Sequence, residues 1–280
     1  MVFEVHPTCK IHPTAIINVN EGFIGRDSII RANTTIEGNI IKIGREAFID
    51  NNAKIGGGSC FDSSAFLIAG DWLHLGVNSQ VNIARGVKIG NEVGIGIDTK
   101  VFTHGAYLDC YNLGAPVQWA PVNIGDNVWL PNAWVNPGVN IGSNVVVAAR
   151  SFINSNIPSG ALVSGSPAKI IKESCFPKKY SKVKKEKLIK ELISQSFERI
   201  RITDLKVELT FNIDQEAVFL NENGLKTIFK LKDKIISGAG SASSIIVKDQ
   251  LRRTGIRFRY EIHKKDWVPW KDDLFPKSII

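Results

Sequence analysis

The sequence lacks the features of a membrane or secreted protein. No apolar run approaches the roughly eighteen residues that a membrane-spanning helix needs. The first residues contain neither the basic segment nor the apolar segment of a secretory leader. The sequence has only four cysteines, and their spacing is not that of metal ligands: Cys9, Cys60, Cys110 and Cys175. We therefore expect a cytoplasmic protein without membrane insertion or a bound metal, whose cysteines are buried free thiols.

Acidic residues are comparatively few in the last third of the chain. Residues 174–280 carry 23 Lys and Arg against 14 Asp and Glu, whereas residues 1–173 carry 12 against 13. This basic excess is compatible with phosphate-bearing small molecules, a solvated surface or a nucleic acid. Because no recognised nucleic-acid motif accompanies it, we expect no nucleic-acid partner and leave the first two interpretations open.

Neither a helical spacing of apolar residues nor a strand-like alternation runs through the first 155 or so residues. Apolar residues recur there every six positions instead, which indicates stacked coils. Each unit is a flat face of two or three residues followed by a sharp corner, and three faces close one coil. The sequence thus predicts a prism in which each coil buries its core only against its neighbours. The longest uninterrupted series is Ile43, Ile49, Ile55, Phe61, Leu67 and Leu73.

Two further positions of the repeat are restricted. A small residue stands two positions before many of the apolar residues, as Ser28 and Ser59 do. Glycine often follows the aliphatic residue directly, as in the pair Ile89-Gly90. We expect Gly or Asn to occupy the corners of the prism, where a positive φ costs these residues little.

The pattern [Ile/Leu/Val]-Gly-x-x-[small]-x resembles that of the hexapeptide-repeat acyltransferases. Three segments are similar to the end of the repeat in the sugar O- and N-acetyltransferase branch: Ile124–Trp129, Pro137–Gly142 and Ser164–Lys169. The resemblance covers roughly residues 5–173, within a first domain at residues 1–173, and implies a mainly β fold built as a left-handed parallel β-helix. It also implies a homotrimer that binds acyl-CoA as donor between neighbouring prisms. A β-sandwich of short strands is the alternative, but it does not explain a phase that persists over several consecutive repeats.

The repeat is interrupted from about residue 102 to residue 121, a length that is usually functional or disordered. The aromatic residues and prolines of this segment favour an ordered extruded loop that forms a wall over a binding groove. His104 lies at its base, and imidazole suits general-base catalysis near neutral pH. In the family that the chain resembles, the catalytic histidine precedes the Asn-x-Trp motif by about two dozen residues, and His104 is 25 residues before Trp129. We therefore predict His104 as the general base, with a structural cap of the loop as the alternative.

Five further residues are candidates for the acceptor side of the site. Asp98 is predicted to orient His104, as a carboxylate commonly orients a catalytic imidazole. Asn78 and Asn82 precede His104 by one to two coils, and the resemblance implies that an Asn in this region helps to bind the acceptor. The alternative for each of these residues is a corner position in an Asx-type turn. Tyr107 and Asp109 are predicted to contact the acceptor from the loop.

The donor side is predicted from the resemblance. It implies that Trp129 stands at the pantetheine end of the coenzyme, where the small residue Ala149 lets the pantetheine arm lie against the backbone. Arg150 replaces a customary Gly, so it is expected to narrow the groove or to contact a phosphate. The loop Gly165–Lys169 matches the family's Gly-x-Pro-Ala-[Lys/Arg] motif, which lies near the adenine and its 3′-phosphate. The predicted acyl-CoA contacts are therefore Trp129, Ala149, Arg150, Pro167, Lys169 and Lys172.

After residue 173 the six-residue period ends, and residues 174–280 are predicted to form a small α+β domain. Residues 181–201 are basic and amphipathic, which predicts a helix at its start. Strands are predicted over 205–211, 217–220, 227–231 and 256–262, with a hairpin turn at 221–224 and a second helix over 241–253. Closure over the acceptor, nucleotide binding and capping of the prism all remain open as roles for this domain.

Taken with the resemblance, these observations predict an acyl-CoA-dependent acyltransferase that acts on an amine or hydroxyl of a sugar. A nucleotide-linked sugar or amino sugar destined for a surface polysaccharide is the expected acceptor. The alternatives are O-acetylation of a small molecule or xenobiotic, and a scaffold of the same fold without catalysis. An amine acceptor needs the base less than a hydroxyl does, so the choice between N- and O-transfer stays open.

Overall fold

The computed structural model describes residues 2–201, 207–263 and 265–268. These residues form two compact units that divide between Lys178 and Lys179. The strands of the first unit are β1 Glu4–Val5, β2 Lys10–Ile11, β3 Ile16–Ile24, β4 Ile29–Ile30, β5 Thr35–Ile43, β6 Phe48–Ile49, β7 Lys54–Gly56, β8 Phe66–Ala69, β9 His74–Leu75, β10 Gln80–Asn82, β11 Val87–Ile89, β12 Gly94–Ile95, β13 Lys100–Val101, β14 His104–Gly105, β15 Gln118–Trp119, β16 Val122–Ile124, β17 Trp129–Leu130, β18 Trp134–Val135, β19 Asn140–Ile141, β20 Val146–Val147, β21 Phe152–Ile153, β22 Leu162–Gly165 and β23 Ala168–Lys172.

The first unit is a parallel β-helix with three faces. Apart from the antiparallel pairs β14–β15 and β22–β23, strands pair in parallel with the strands of neighbouring coils on the same face, so that inward aliphatic side chains form three buried columns. This architecture confirms the predicted fold class, a left-handed parallel β-helix. The columns contain Ile24, Ile43, Ala69, Ile89, Ile124 and Ile141; Ile30, Ile49, Leu75, Ile95 and Leu130; and Ile36, Ile55, Val81, Val101, Val135 and Ile153.

One part of the predicted repeat is wrong. Phe61, which the six-residue period places inside the prism, is 45% exposed, and Ser59 is exposed as well. The reason is a turn segment at residues 57–64 that lengthens this coil, so that Ile43 pairs with Ala69 rather than with a residue eighteen or nineteen positions later. The six-residue spacing from Phe61 to Leu67 and Leu73 is a coincidence, because Leu67 and Leu73 are buried in the prism whereas Phe61 is not.

The reason for the repeated glycine also differs from the prediction. Except at Gly56, the Gly that follows a buried aliphatic residue of a column does not have a positive φ; a Cβ on Gly44, Gly70 or Gly90 would instead lie 2.5 Å from a side-chain oxygen of the next coil. That oxygen accepts a hydrogen bond from the backbone N–H that follows the glycine, at 2.6–3.0 Å along the corner. The accepting side chains are those of Asp71, Asn91, Asp126, Ser143 and Ser159. The positive φ angles fall on other corner residues that carry side chains, including Asp27, Asn33, Glu46, Asn52, Asn78, Asp98, Asn127 and Arg150.

The second unit is an antiparallel sheet with two helices. Its elements are α1 Lys182–Arg201, β24 Val207–Asn212, β25 Ala217–Glu222, β26 Leu225–Lys230, β27 Ile235–Ala239, α2 Ala242–Arg253, β28 Glu261–His263 and β29 Asp266–Val268. The sheet order is β24-β25-β26-β27-β29-β28. Its core includes Phe229 and Phe258, whose rings meet edge to face at 5.6 Å. Among the described residues, no helix is both long and apolar enough to cross a membrane.

The sequence predicted both helices and the hairpin of this unit, but not every strand. Strand β27 was missed because its short apolar run contains Gly238, which has a positive φ and where a Cβ would lie 2.2 Å from the carbonyl oxygen of Lys226. The strand predicted over 256–262 is wrong except at its end. The backbone N–H of Ile256 donates to Leu251 O at 3.0 Å, so Ile256 caps the C-terminal end of α2 instead of beginning a strand. The predicted residues 205 and 206 lie outside the described part of the chain.

Candidate active site

His104 stands where the chain leaves the prism at the long interruption of the repeat. Strand β14 pairs antiparallel with β15, so that His104 lies opposite Trp119. The N–H of Ala120 donates to the carbonyl of Thr103 at 3.0 Å and closes the base of the loop one residue further on. The segment between these strands carries highly exposed apolar side chains, including Tyr107 at 98% and Tyr111 at 92%.

The imidazole of His104 is bonded to an amide in the preceding coil. Its Nδ1 atom lies 2.9 Å from Oδ1 of Asn82, a residue that is only 2% exposed. The amide orientation is fixed, because Nδ2 of Asn82 faces the carbonyls of Gly56 and Gly58 at 3.4 and 3.5 Å. The hydroxyl of Thr103 donates to the same Oδ1 at 2.6 Å. An oxygen acceptor at this place requires a proton on Nδ1 of His104, which leaves the lone pair on Nε2.

Trp119, which contacts His104, and Arg85, which contacts Trp119, were not predicted from the sequence. The ring of Trp119 stacks on the imidazole with centroids 5.0 Å apart and planes inclined by 20°. The guanidinium carbon of Arg85 lies 4.5 Å from the centroid of the Trp119 ring. The position of Trp119, just before the repeat resumes, could have indicated its contact with His104. The two ends of an extruded loop must meet at the prism, and His104 lies at the other end.

Asp98 does not have the predicted orienting role. Its carboxylate accepts a hydrogen bond from Nδ2 of Asn78 at 3.2 Å, and Asn78 in turn accepts one from Asn52 at 3.2 Å. All three residues have a positive φ, so they form a ladder of side chains along one corner of the prism. The orientation of His104 comes from Asn82 instead, because Asn82 ends a strand on the face from which His104 departs.

The two loop candidates lie apart from the bonded cluster around His104. The carboxylate of Asp109 accepts hydrogen bonds from the backbone N–H groups of Tyr111 and Asn112 at 2.8 and 2.9 Å. Together with the side chain of Asn112, which has the largest effect, these bonds hold the pKa of Asp109 below its usual value. Asp109 thus shapes the loop, while the side chain of Tyr107 points into solvent. Acceptor contact by either residue stays a prediction.

A cavity of about 320 Å³ brings Asp98 and Arg150 together at the later coils. Arg150 has a φ of 62°, a conformation that glycine adopts at less cost, and its backbone N–H donates to Asn132 O at 2.9 Å. Trp134 contributes an indole that is 49% exposed and lies against Phe102, with ring centroids 5.0 Å apart. The cavity is lined by Asp98, Asn132, Ala133, Trp134, Arg150, Ser151, Phe152 and Ser166.

The remaining donor candidates lie around the end of a second face. Trp129, Val146, Leu162 and Lys172 follow one another across neighbouring strands in direct register. Since neighbouring strands are about 4.8 Å apart, this row is about 14 Å long, with an indole at one end and an ammonium group at the other. Trp129 is 42% exposed and covers Gly94, where any side chain would collide with the indole. Ala149 is exposed at a corner, and Pro167 and Lys169 are exposed where β22 turns into β23.

The cysteines are not part of either group. All four are free, and Cys60 and Cys175 are buried. Burial raises the pKa of the Cys9 and Cys60 thiols, which keeps them protonated and unreactive. Among the described residues, no group of three or more His, Cys, Asp or Glu side chains could hold a metal ion.

Comparison with known proteins yields relatives for the β-helix. No protein-family model matches the chain. A Saccharomyces cerevisiae protein provisionally named an acetyltransferase is 35% identical over 131 residues, which cover 41% of this chain and 66% of the relative. The galactoside O-acetyltransferase of Escherichia coli is 28% identical over 130 residues, which cover 43% of this chain and 64% of that enzyme. The chain thus spans somewhat less than two thirds of the length of these curated relatives.

Solved structures include similar chains. A hexapeptide-repeat-containing acetyltransferase from Vibrio cholerae O1 biovar eltor, complexed with acetyl coenzyme A, is 26% identical. The match covers 54% of this chain and 69% of that one, with a TM-score of 0.36. The six-residue repeat and the curated relatives thus make this chain similar to the acetyltransferases, in agreement with the resemblance described above.

Proposed function

We propose that this chain, as a relative of the hexapeptide-repeat acetyltransferases, transfers an acetyl group from acetyl-CoA to a hydroxyl group of a sugar, with His104 as general base. The observation that supports this most directly is the 2.9 Å hydrogen bond between Nδ1 of His104 and Oδ1 of Asn82. It holds the imidazole in the tautomer whose Nε2 can accept a proton. A scaffold without catalysis would not need this tautomer.

The proposed reaction is a direct acyl transfer. Nε2 of His104 takes the proton of the acceptor hydroxyl while the hydroxyl oxygen attacks the thioester carbonyl carbon. Collapse of the tetrahedral intermediate breaks the C–S bond, and the departing CoA thiolate takes the proton back from the imidazolium. The products are the sugar ester and free CoA, and His104 returns to its starting tautomer.

The proposed donor site uses the row from Trp129 to Lys172. An indole and aliphatic side chains suit the pantetheine arm, and the lysine suits a phosphate of the nucleotide end. Lys169 and Arg150 add two further cations for those phosphates. The small size of Ala149 lets the arm lie close to the backbone.

We propose a homotrimer in which each donor site lies between two prisms. The exposed apolar side chains of the loop support this assembly, because a patch of this kind commonly marks an interaction surface. They include Tyr107, Leu108, Tyr111 and Leu113, all at least 61% exposed. A cytoplasmic location is part of the same proposal, since all four cysteines are free thiols.

The finer proposal concerns the acceptor. A nucleotide-linked sugar or amino sugar, used for a surface polysaccharide, would bring phosphates that suit the basic excess of residues 174–280. Acetylation of a small molecule or xenobiotic without phosphate remains the alternative. Comparison of free and nucleotide-linked sugars as acceptors separates the two.

The test is a transfer assay that follows release of the CoA thiol with a panel of acceptors. The panel contains free sugars, nucleotide-linked sugars and their amino counterparts at equal concentration. Acceptor-dependent release of CoA, together with an acetylated sugar detected by mass spectrometry, supports the proposal. A folded protein that binds no acetyl-CoA and releases no thiol with any acceptor would contradict the proposal and favour a scaffold without catalysis.

A further inference from the structure

The hydrogen bond to Asn82 restrains only one atom of the His104 ring. A single bond at Nδ1 leaves the imidazole free to tilt about the line to its partner, so Nε2 is not yet fixed in direction. A second contact on the face of the ring removes that freedom. Trp119 supplies it, with ring centroids 5.0 Å apart and planes only 20° from parallel.

Trp119 is itself held by the preceding coil. The guanidinium carbon of Arg85 lies 4.5 Å from its ring centroid, a distance at which a cation is attracted by an indole. Nη1 of Arg85 donates to Oγ of Ser64 at 2.8 Å and to the carbonyl of Ala84 at 3.2 Å. The guanidinium therefore has a fixed position from which to hold the indole.

The two restraints on His104 meet at one hydroxyl group. Oγ1 of Thr103 donates to Oδ1 of Asn82 at 2.6 Å and accepts from the backbone N–H of Arg85 at 3.2 Å. Thr103 is fully buried, so this link is shielded from water. The amide that holds the edge of the imidazole and the arginine that holds its stacking partner are thus bonded to the same side chain.

We infer that Trp119 is a positioning residue for His104 and that Arg85 acts through Trp119. This inference rests on the proposed role of His104 as general base. Trp119 fixes the plane of the imidazole so that Nε2 faces one direction before the acceptor binds. Because His104 and Trp119 are also paired in the two-strand ladder at the base of the loop, the geometry of the base depends on how the loop returns to the prism.

Two substitutions separate stacking from simple space filling. Trp119→Phe keeps a flat ring against the imidazole, whereas Trp119→Leu keeps an apolar side chain without a flat face. We expect Trp119→Leu to lower kcat about tenfold, a loss typical of one aromatic contact, and to leave the KM for acetyl-CoA within about twofold. Trp119→Phe should stay within about threefold of the unsubstituted protein. Equal melting temperatures would exclude unfolding as the cause.

A measurement on the resting protein makes the inference independent of turnover. Selective ¹⁵N labelling of histidine reports the tautomer and mobility of His104, with its signals assigned by their loss in His104→Gln. We expect sharp signals of the Nδ1-protonated form in the unsubstituted protein and in Trp119→Phe, and broadened signals in Trp119→Leu. If Trp119→Leu fails to fold, Arg85→Gln serves instead, with Arg85→Lys as its charge-retaining partner.

The outcomes distinguish this inference from the proposed function. If the His104 signals respond to Trp119→Leu but no variant transfers an acetyl group, the positioning is upheld and the proposed reaction is wrong. If transfer is active while kcat and the His104 signals are unchanged in Trp119→Leu, the inference is overturned and the reaction stands. Equal effects of Trp119→Phe and Trp119→Leu would also contradict it, because stacking would then not matter.

Discussion

Nδ1 of His104 lies 2.9 Å from Oδ1 of Asn82, a residue 22 positions earlier in the sequence. The β-helix brings the two together because successive coils stack in register. An amide oxygen fixes the tautomer of the imidazole as a carboxylate would, but it brings no negative charge to stabilise the imidazolium. The bond to Asn82 therefore leaves Nε2, with its lone pair, as the atom of His104 that can accept a proton.

Removal of His104 should abolish most transfer to a hydroxyl acceptor. We expect His104→Ala to lower kcat by about 10²–10⁴-fold, the usual contribution of a general base, while acetyl-CoA binding is retained. His74→Ala is the matched control, because His74 is a histidine of the same prism that packs edge to face on Phe48 at 5.4 Å. A loss below about tenfold for His104→Ala would instead indicate an amine acceptor, whose free base is already nucleophilic.

Loss of Asn82 should affect both stability and turnover. Asn82→Ala removes the acceptor that the buried hydroxyl of Thr103 has at 2.6 Å and leaves it only the backbone carbonyl at position 82, at 3.3 Å, which should lower the free energy of unfolding by about 0.5–1.5 kcal/mol. It also frees the tautomer of His104, so kcat should fall at least about tenfold. Urea unfolding at fixed protein concentration and initial rates check the two effects. Asn123→Ala is the control, because its bond to Asn140 is exposed; an equal effect there would refute the assigned role.

The repeated glycine should be required for space rather than for its φ. Gly90→Ala would bring a Cβ to 2.5 Å from Oδ1 of Asp126 and 2.7 Å from its backbone nitrogen, which should cost about 1–3 kcal/mol of stability. Gly58→Ala is the control, because no atom lies within 4 Å of the added carbon. Thermal unfolding of both variants provides the test, and equal melting temperatures would show that the corner can relax around the methyl group.

Asp249 should stabilise the second unit in a pH-dependent manner. Although partial burial acts to raise it, the pKa of Asp249 lies well below its usual range because Arg252, Arg253 and Arg199 donate hydrogen bonds to the carboxylate. A lowered pKa in the folded state means that the stabilisation is complete above the unfolded pKa of about 3.9 and is lost as the pH falls below it.

The matching substitution is Asp249→Asn. At pH 7 it should lower stability by about 1–2 kcal/mol, a range reduced for the partial exposure of the partners, and the difference should shrink toward pH 3. Asp214→Asn removes a more exposed ion pair with Lys182 and should change stability by less than about 1 kcal/mol. Unfolding curves recorded from pH 7 to pH 3 test this, and a pH-independent difference for Asp249→Asn would contradict the assignment.

The fold could be predicted from the sequence because the aliphatic residues that recur every six positions are the side chains of the three buried columns. The period did not reveal the turn segment at residues 57–64, since Leu67 and Leu73 keep the phase on its far side. It also suggested the wrong reason for the glycines, because a collision with the next coil depends on a residue that is some twenty or more positions away, such as Asp71 for Gly44. A contact between coils depends on residues of two different repeats, so the sequence of one repeat does not predict it.

The site was only partly predictable for a related reason. His104 could be located by its spacing from Trp129 and by its chemistry. Asp98 was chosen as its partner from chemistry alone, but the corner position of Asp98 directs its carboxylate to Asn78. Trp119 was missed because its contact with His104 depends on how the loop returns, which no periodicity encodes. Arg85 was missed because its role depends on Trp119.

Calorimetric titration of acetyl-CoA into the unsubstituted protein and into His104→Ala tests the central claim most directly. We expect both proteins to bind acetyl-CoA with similar affinity and one site per chain, and only the unsubstituted protein to transfer the acetyl group rapidly to a sugar hydroxyl. Absence of binding by the folded, unsubstituted protein would contradict the account, because a prism that cannot hold the donor cannot be an acetyltransferase.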